Sequence, residues 1–146
     1  MKTIGQQIKW NFKANGNLEI KDKNGKIIYY EGSNGHWGKW EWDSQYNEIY
    51  FETSSGYWVK REWDSQGNQI YFEDSKKYWV KCEYDSKGCC IYYVDSDGYW
   101  TKREYDSKGN IIYHENSYDI IIDNRPKPCE GKEIVIGGEK FKLVKV

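Results

Sequence analysis

Helix formers, long apolar runs and an excess of charge of either sign are all scarce in this chain. Its 146 residues include one alanine, Ala14, and two leucines, Leu18 and Leu143. Since Ala and Leu head the helix formers, a helical bundle or a doubly wound α/β fold is excluded. Lys and Arg number 22 against 23 Asp and Glu, a net charge of −1. That balance provides no polycationic footprint for nucleic acid or an anionic membrane. No stretch approaches the roughly 18 apolar residues of a membrane span, and the first ten residues lack the apolar core of a secretion signal. A cytoplasmic location is therefore expected, where thiols stay reduced.

What the chain has is aromatic rings: 8 Trp, 14 Tyr and 4 Phe, 18% of the residues, against a mean hydropathy of −1.00. Rings at this density exclude a disordered tail, and the rings supply most of a thin core. They recur with a period of 21 residues. Trp falls at Trp37, Trp58, Trp79 and Trp100, and an Ile-Tyr pair at Ile28-Tyr29, Ile49-Tyr50, Ile70-Tyr71, Ile91-Tyr92 and Ile112-Tyr113. Asp recurs at Asp22, Asp43, Asp64, Asp85 and Asp106, Lys at Lys39, Lys60, Lys81 and Lys102, and Glu at Glu41, Glu62, Glu83 and Glu104.

Each unit carries two turn signals, such as Asp85-Ser-Lys-Gly88 and Asp95-Ser-Asp-Gly98. Asp and Ser bond the backbone of tight turns, and Gly accepts the positive φ that closes the loop. Runs of about six aromatic and β-branched residues lie between them, so each unit reads as one β-hairpin. The fold class is all-β: an antiparallel meander of tandem 21-residue hairpins, either a twisted single sheet or a rolled solenoid. Roughly ten strands are expected between Leu18 and Ile122. Residues 1–18 read as a degenerate opening hairpin around Asn15-Gly16, 19–122 as five tandem hairpin repeats, 123–132 as a linker with Pro126 and Pro128, and 133–146 as a C-terminal hairpin that closes a sheet edge. Tyr46 stands where other copies have Gly, which implies a different turn geometry or strain.

Strand parity divides the side chains into two faces. The register that keeps Lys39 and Glu41 away from apolar partners groups Trp40, Trp42, Ile49 and Phe51 on one face. The other face carries Trp37, Lys39, Glu41, Tyr50 and Glu52, and their equivalents in each copy. The candidate partner-binding residues are Trp37, Trp58, Trp79, Trp100, Tyr50, Tyr71, Tyr92, Lys39, Lys60, Lys81 and Lys102. A row of exposed rings marks an interaction surface, whereas closure of the sheet turns the same rings into a second core. Lys and Glu are expected to pair across strands.

Catalytic grammar is missing. The two histidines, His36 and His114, replace aromatic residues of the repeat, and no nucleophile elbow, phosphate loop or zinc-protease motif is present. The cysteines are Cys82, Cys89, Cys90 and Cys129. Their spacing is not that of a zinc knuckle, and Asp95-Ser-Asp-Gly98 reads as turn chemistry instead of a calcium loop. No metal, cofactor or enzymatic activity is expected.

The phrases Trp63-Asp-Ser-Gln-Gly67, Tyr84-Asp-Ser-Lys-Gly88 and Tyr105-Asp-Ser-Lys-Gly109 resemble the Tyr-Asp repeats of the Rhs family over residues 19 to 122. The resemblance implies a spiralling antiparallel sheet that encloses or binds without catalysis. Together with the Gly137-Gly138 tail, the chain also resembles small repeat proteins of bacteriophages and mobile elements. The expected function is a non-catalytic binder of a protein partner, a phage-borne inhibitor of a CRISPR-type defence complex in the host cytoplasm. The alternative is stacking of a carbohydrate or nucleotide on the same rings. Interleaved Glu residues argue against single-stranded nucleic acid, and open sheet edges allow a homodimer.

Overall fold

The structure is a computed structural model describing residues 2–125 and 132–143. Two short helices open it, α1 (Ile4–Ile8) and α2 (Phe12–Asn15). The strands are β1 (Leu18–Lys21), β2 (Ile27–Glu31), β3 (Trp37–Trp42), β4 (Glu48–Thr53), β5 (Trp58–Trp63), β6 (Gln69–Asp74), β7 (Trp79–Tyr84), β8 (Cys90–Asp95), β9 (Trp100–Tyr105), β10 (Ile111–Asn116), β11 (Ile120–Asp123), β12 (Glu133–Ile136) and β13 (Glu139–Lys142). Strands β1 to β11 pair in chain order as one open antiparallel sheet, so the array neither closes nor rolls into a barrel. Strands β12 and β13 form a separate two-stranded sheet with every residue exposed, and β12 pairs with β13 and not with β11. The expected linker falls largely outside the described residues, as does Cys129.

The repeated isoleucine has a specific structural job. In the hairpin β3–β4, Glu41 faces Tyr50 but Trp42 faces Glu48, leaving Ile49 as an extra, unpaired residue. Ile28, Ile70, Ile91 and Ile112 are skipped in the same way in the other four hairpins. Each is a β-bulge, which twists the strand and reverses which residues share a face beyond it. Ile49 therefore does not join Trp40, Trp42 and Phe51 as parity alone required, and it lines a depression with Lys39, Glu41 and Tyr50. The rest of the register is as expected: Trp40 faces Phe51, and their rings pack at 5.0 Å.

The first hairpin is held internally by four residue pairs and the other four by five, for example Val59–Asp74 to Trp63–Gln69, whereas successive hairpins share three, such as Tyr50–Lys60, Phe51–Val59 and Glu52–Trp58. Beyond those three pairs, the carbonyl preceding each of the first four bulges has no strand partner on the next hairpin. A ring supplies it. Trp42 Nε1 donates to the Ile27 carbonyl at 2.9 Å and Trp63 Nε1 to Glu48 at 2.8 Å. Tyr84 Oη and Tyr105 Oη do the same for Gln69 at 3.1 Å and Cys90 at 3.0 Å. The aromatic residue before each Tyr-Asp or Trp-Asp turn is thus a backbone cap, and removing such a donor orphans a carbonyl.

In each of the first turns the Asp carboxylate takes backbone N–H groups two and four residues on, as Asp43 does from Gln45 and Asn47. The fourth turn position is left-handed in every turn from Asp22 to Gly109, and Tyr46 (φ 65°) and Lys77 (φ 67°) adopt that conformation with a Cβ in place. Tyr46 therefore keeps the common geometry and carries the strain.

The opening hairpin is not formed. Thr3 accepts the Gln6 amide while Gln6 reaches back to Thr3, a capping box that starts α1. Asn11 caps α2, and Gly16, at φ 72°, ends it where a hairpin turn was expected. Only Leu18, Tyr29, Val59 and Tyr113 are fully buried apolar residues among those described, as befits a single-layer sheet.

Two stability outcomes are expected. Lys77→Gly relieves left-handed strain and raises the urea midpoint by the equivalent of about 0.5 kcal/mol, whereas Gly67→Ala lowers it by about 1 kcal/mol. Trp63→Phe, which keeps the ring and deletes the donor to Glu48, costs about 1–2 kcal/mol in the same titration.

Candidate functional site

One face of the sheet repeats a fixed order of chemistry. Following the register across five strands, Glu41 faces Tyr50, Tyr50 faces Lys60, Lys60 faces Glu73, and Glu73 faces Trp79. One hairpin on, the line reads Glu62, Tyr71, Lys81, Val94 and Trp100. The first line is displaced by one hairpin to make the second, so the surface is a set of parallel diagonal stripes. All eleven candidate residues lie on this face: Trp37, Trp58, Trp79 and Trp100; Tyr50, Tyr71 and Tyr92; Lys39, Lys60, Lys81 and Lys102.

The lysines do not mainly seek glutamates across strands. Lys60, Lys81 and Lys102 place Nζ 5.2–5.5 Å from the centroids of Trp58, Trp79 and Trp100, two residues back on their own strands. Lys39 lies 5.5 Å from the Tyr50 ring and bonds Glu41 at 2.9 Å, its neighbour along the strand. The rings are half-buried and the ammonium groups exposed. A lysine stem covers apolar ring surface while its head stays wet, and the quadrupole of the ring adds about 0.5–1 kcal/mol at such exposure. The tyrosines are tied to carboxylates two residues on: Tyr71 Oη donates to Glu73 at 3.3 Å and Tyr113 Oη to Glu115 at 2.7 Å.

The face ends at the N-terminal cap, which charge and sterics hold in place. Glu31, 1% exposed, accepts from Thr3 Oγ1 at 2.5 Å, from the Gly5 amide at 2.8 Å and from Tyr29 Oη at 2.8 Å. Burial pushes its carboxyl up, but these three donors together outweigh burial and hold it below the usual value of 4.5. Burial first, and then the bond to Glu31, pushes the Tyr29 phenol up to about 12. A Cβ on Gly5 would stand 2.8 Å from the Glu31 carboxylate, so only glycine lets α1 approach this closely. Between α1 and the sheet lies a groove of about 810 Å³, walled by Ile4, Ile20, Ile28, Tyr29 and Trp37 with Lys39 at its rim. A shallower depression of about 540 Å³ follows, lined by Lys39, Glu41, Ile49, Tyr50, Lys60 and Tyr71.

The opposite face is stitched differently. Arg61 bonds Glu48 and lies over Phe72, and Tyr78 and Tyr93 share a hydroxyl contact at 3.3 Å. His36 sits on an exposed turn and His114 on β10. Among the described residues no three His, Cys, Asp or Glu come together as a metal site. Parity found the stripes, but it missed Thr3, Gly5 and Glu31, although the Thr3-x-x-Gln6 spacing is a readable helix start.

No family model and no curated protein matches this chain. Solved structures do. The crystal structure of TcdB2-TccC3-TEV superposes with a TM-score of 0.54 at 16% identity over 69% of this chain, and that of TcdB2-TccC3-Cdc42 with 0.53 at 16% identity over 68%. The Photorhabdus luminescens Tc holotoxin pore, carrying a TccC3 mutation, gives 0.52 at 14% identity over 72%. The chain spans 5%, 5% and 6% of those much longer chains. The likeness shows that this chain shares its β-hairpin repeat fold with part of those chains.

Glu31 makes the cap pH-dependent. Because its folded pKa is depressed, its stabilisation is complete above about 4.5 and is lost as pH falls through the folded value. The turn carboxyls of Asp43, Asp64 and Asp106 are also held low, first by the amides of Asn47, Asn68 and Asn110. The readout is therefore the difference between wild type and Glu31→Gln. The variant is less stable by about 1–3 kcal/mol at neutral pH, and the gap narrows on acidification below 4.5 in urea titrations.

Proposed function

We propose that this protein is a non-catalytic binder that presents its striped face to a protein partner. One observation carries the reading: a single face repeats Trp, Tyr, Lys and Glu in fixed register, and among the described residues no second layer lies across it. Half-buried rings supply contact area at low entropic cost, and alternating charges set the register of docking. The solved structures with this fold include TcdB2-TccC3-Cdc42 and a Tc holotoxin pore, which are multi-chain assemblies, and this supports a protein partner as a class. Nothing in the fold selects an inhibitor of a CRISPR-type complex, or a phage origin, over other protein partners.

Affinity capture from host lysate with the wild-type chain and two variants tests it. Trp58→Ala with Trp79→Ala should lose the captured protein by at least tenfold while circular dichroism shows the sheet retained. Lys60→Glu with Lys81→Glu, which leaves every ring in place, should lower capture by a similar factor and change its salt dependence. Capture unchanged by both variants would sink the reading.

The groove under α1 favours a second reading, stacking of a small carbohydrate or nucleotide against Tyr29 and Trp37, whose rings lie 6.2 Å apart. Quenching of Trp fluorescence by such ligands, abolished in Trp37→Ala, is the outcome that would replace the first reading with this one.

A further inference from the structure

The three cysteines of the fourth hairpin, β7–β8, play no part in the striped face. Within β7–β8, Cys82 faces Tyr93 and Tyr84 faces Cys90. Cys90 and Tyr93 are three residues apart, so in a regular strand Cys90 would project from the face opposite to Cys82. The bulge at Ile91 reverses that parity and brings Cys90 to the face of Cys82, one diagonal away on the adjacent strand.

We propose that Cys82 and Cys90 are a dithiol site that closes to an intrachain disulfide by exchange with a low-molecular-weight disulfide. Both side chains are half-buried and both thiols are free, with Cys90 Sγ within 3.4 Å of the Tyr92 carbonyl. Burial pushes the Cys82 thiol up and the neighbouring Cys90 thiol pushes it further, which agrees with the two sulfurs lying side by side. The repeat adds a cation. Arg61 bonds Glu48 across the seam between hairpins, and two periods on the same two positions hold Arg103 and Cys90. Arg103 acts on the Cys82 thiol against burial and Cys90, favouring the thiolate that Cys82 forms when it closes the bond.

Cys89 is set apart. It occupies the place of Asn47, Asn68 and Asn110, whose side chains bond the turn aspartate, and its own N–H donates to Asp85 at 2.9 Å.

The exchange balances without further reagents. The Cys90 thiol loses its proton and attacks one sulfur of the small disulfide, breaking that S–S bond and releasing one thiolate, which is protonated. Cys82 then loses its proton and attacks the Cys90 sulfur of the mixed disulfide, releasing the second thiolate, which is protonated in turn. Two electrons pass from the protein to the small disulfide.

The test is incubation of the folded full chain carrying Cys129→Ser with oxidised glutathione, followed by intact mass and peptide mapping. The expected product has lost two hydrogens, links Cys82 to Cys90 and leaves Cys89 alkylatable. Cys89→Ser should form the same link, and Cys82→Ser should stop at a glutathione adduct on Cys90. A link that includes Cys89, a parent that accumulates adducts without closing, or closure seen only in urea would overturn the proposal.

Discussion

One unpaired residue per hairpin organises this molecule. The bulge isoleucine shifts the ladder by a step, and most of what distinguishes the sheet from a plain meander follows from that shift. Because pairing between hairpins ends just past it, a carbonyl is left facing nothing, and an indole or phenol from the next hairpin fills the gap. The aromatic position is therefore tied to the isoleucine 14 residues before it, as Trp42 is to Ile28 and Trp63 to Ile49. Tyrosine substitutes for tryptophan there because both present a donor at the end of a flat, space-filling body.

Much of this was legible in the amino acids. The 21-residue period, the paired turn signals and the alternation of charged and apolar positions yield an antiparallel meander, with Lys39 and Glu41 on the face of Tyr50, whereas its openness is read from the strand pairing alone. Parity failed at Ile49, since alternation assumes one residue per place in the ladder and a bulge breaks that assumption without any proline or glycine to announce it. Asn15-Gly16 misled for a different reason. The positive φ it offers suits a hairpin turn and a helix end equally, and the Thr3 capping box upstream decides between them. Cross-strand Lys–Glu pairing was the natural expectation, but a half-exposed ring is a broader target for a lysine stem than a single carboxylate. Three of the four repeated lysines accordingly sit over the tryptophan two residues back.

That arrangement shapes what the striped face offers. The rings are sheathed by alkyl stems, so their apolar area is revealed only as the lysine heads swing away or are taken up by an acidic group. The same stripe recurs at each hairpin, so under the proposed function a long partner would meet equivalent contacts several times along the sheet. At its beginning the stripe is closed by a buried carboxylate whose three donors come from a helix and a tyrosine, so the end of the array is fastened by charge where the rest is fastened by rings.

The pairing is uneven along the array, with strong hairpins alternating with narrow seams of three residue pairs. Load applied across the strands would concentrate at those seams and part the sheet there, shedding whole hairpins in sequence instead of fraying strand by strand. Length is then a quantity that tandem duplication can change freely, since a copy added or lost disturbs only the two joints beside it.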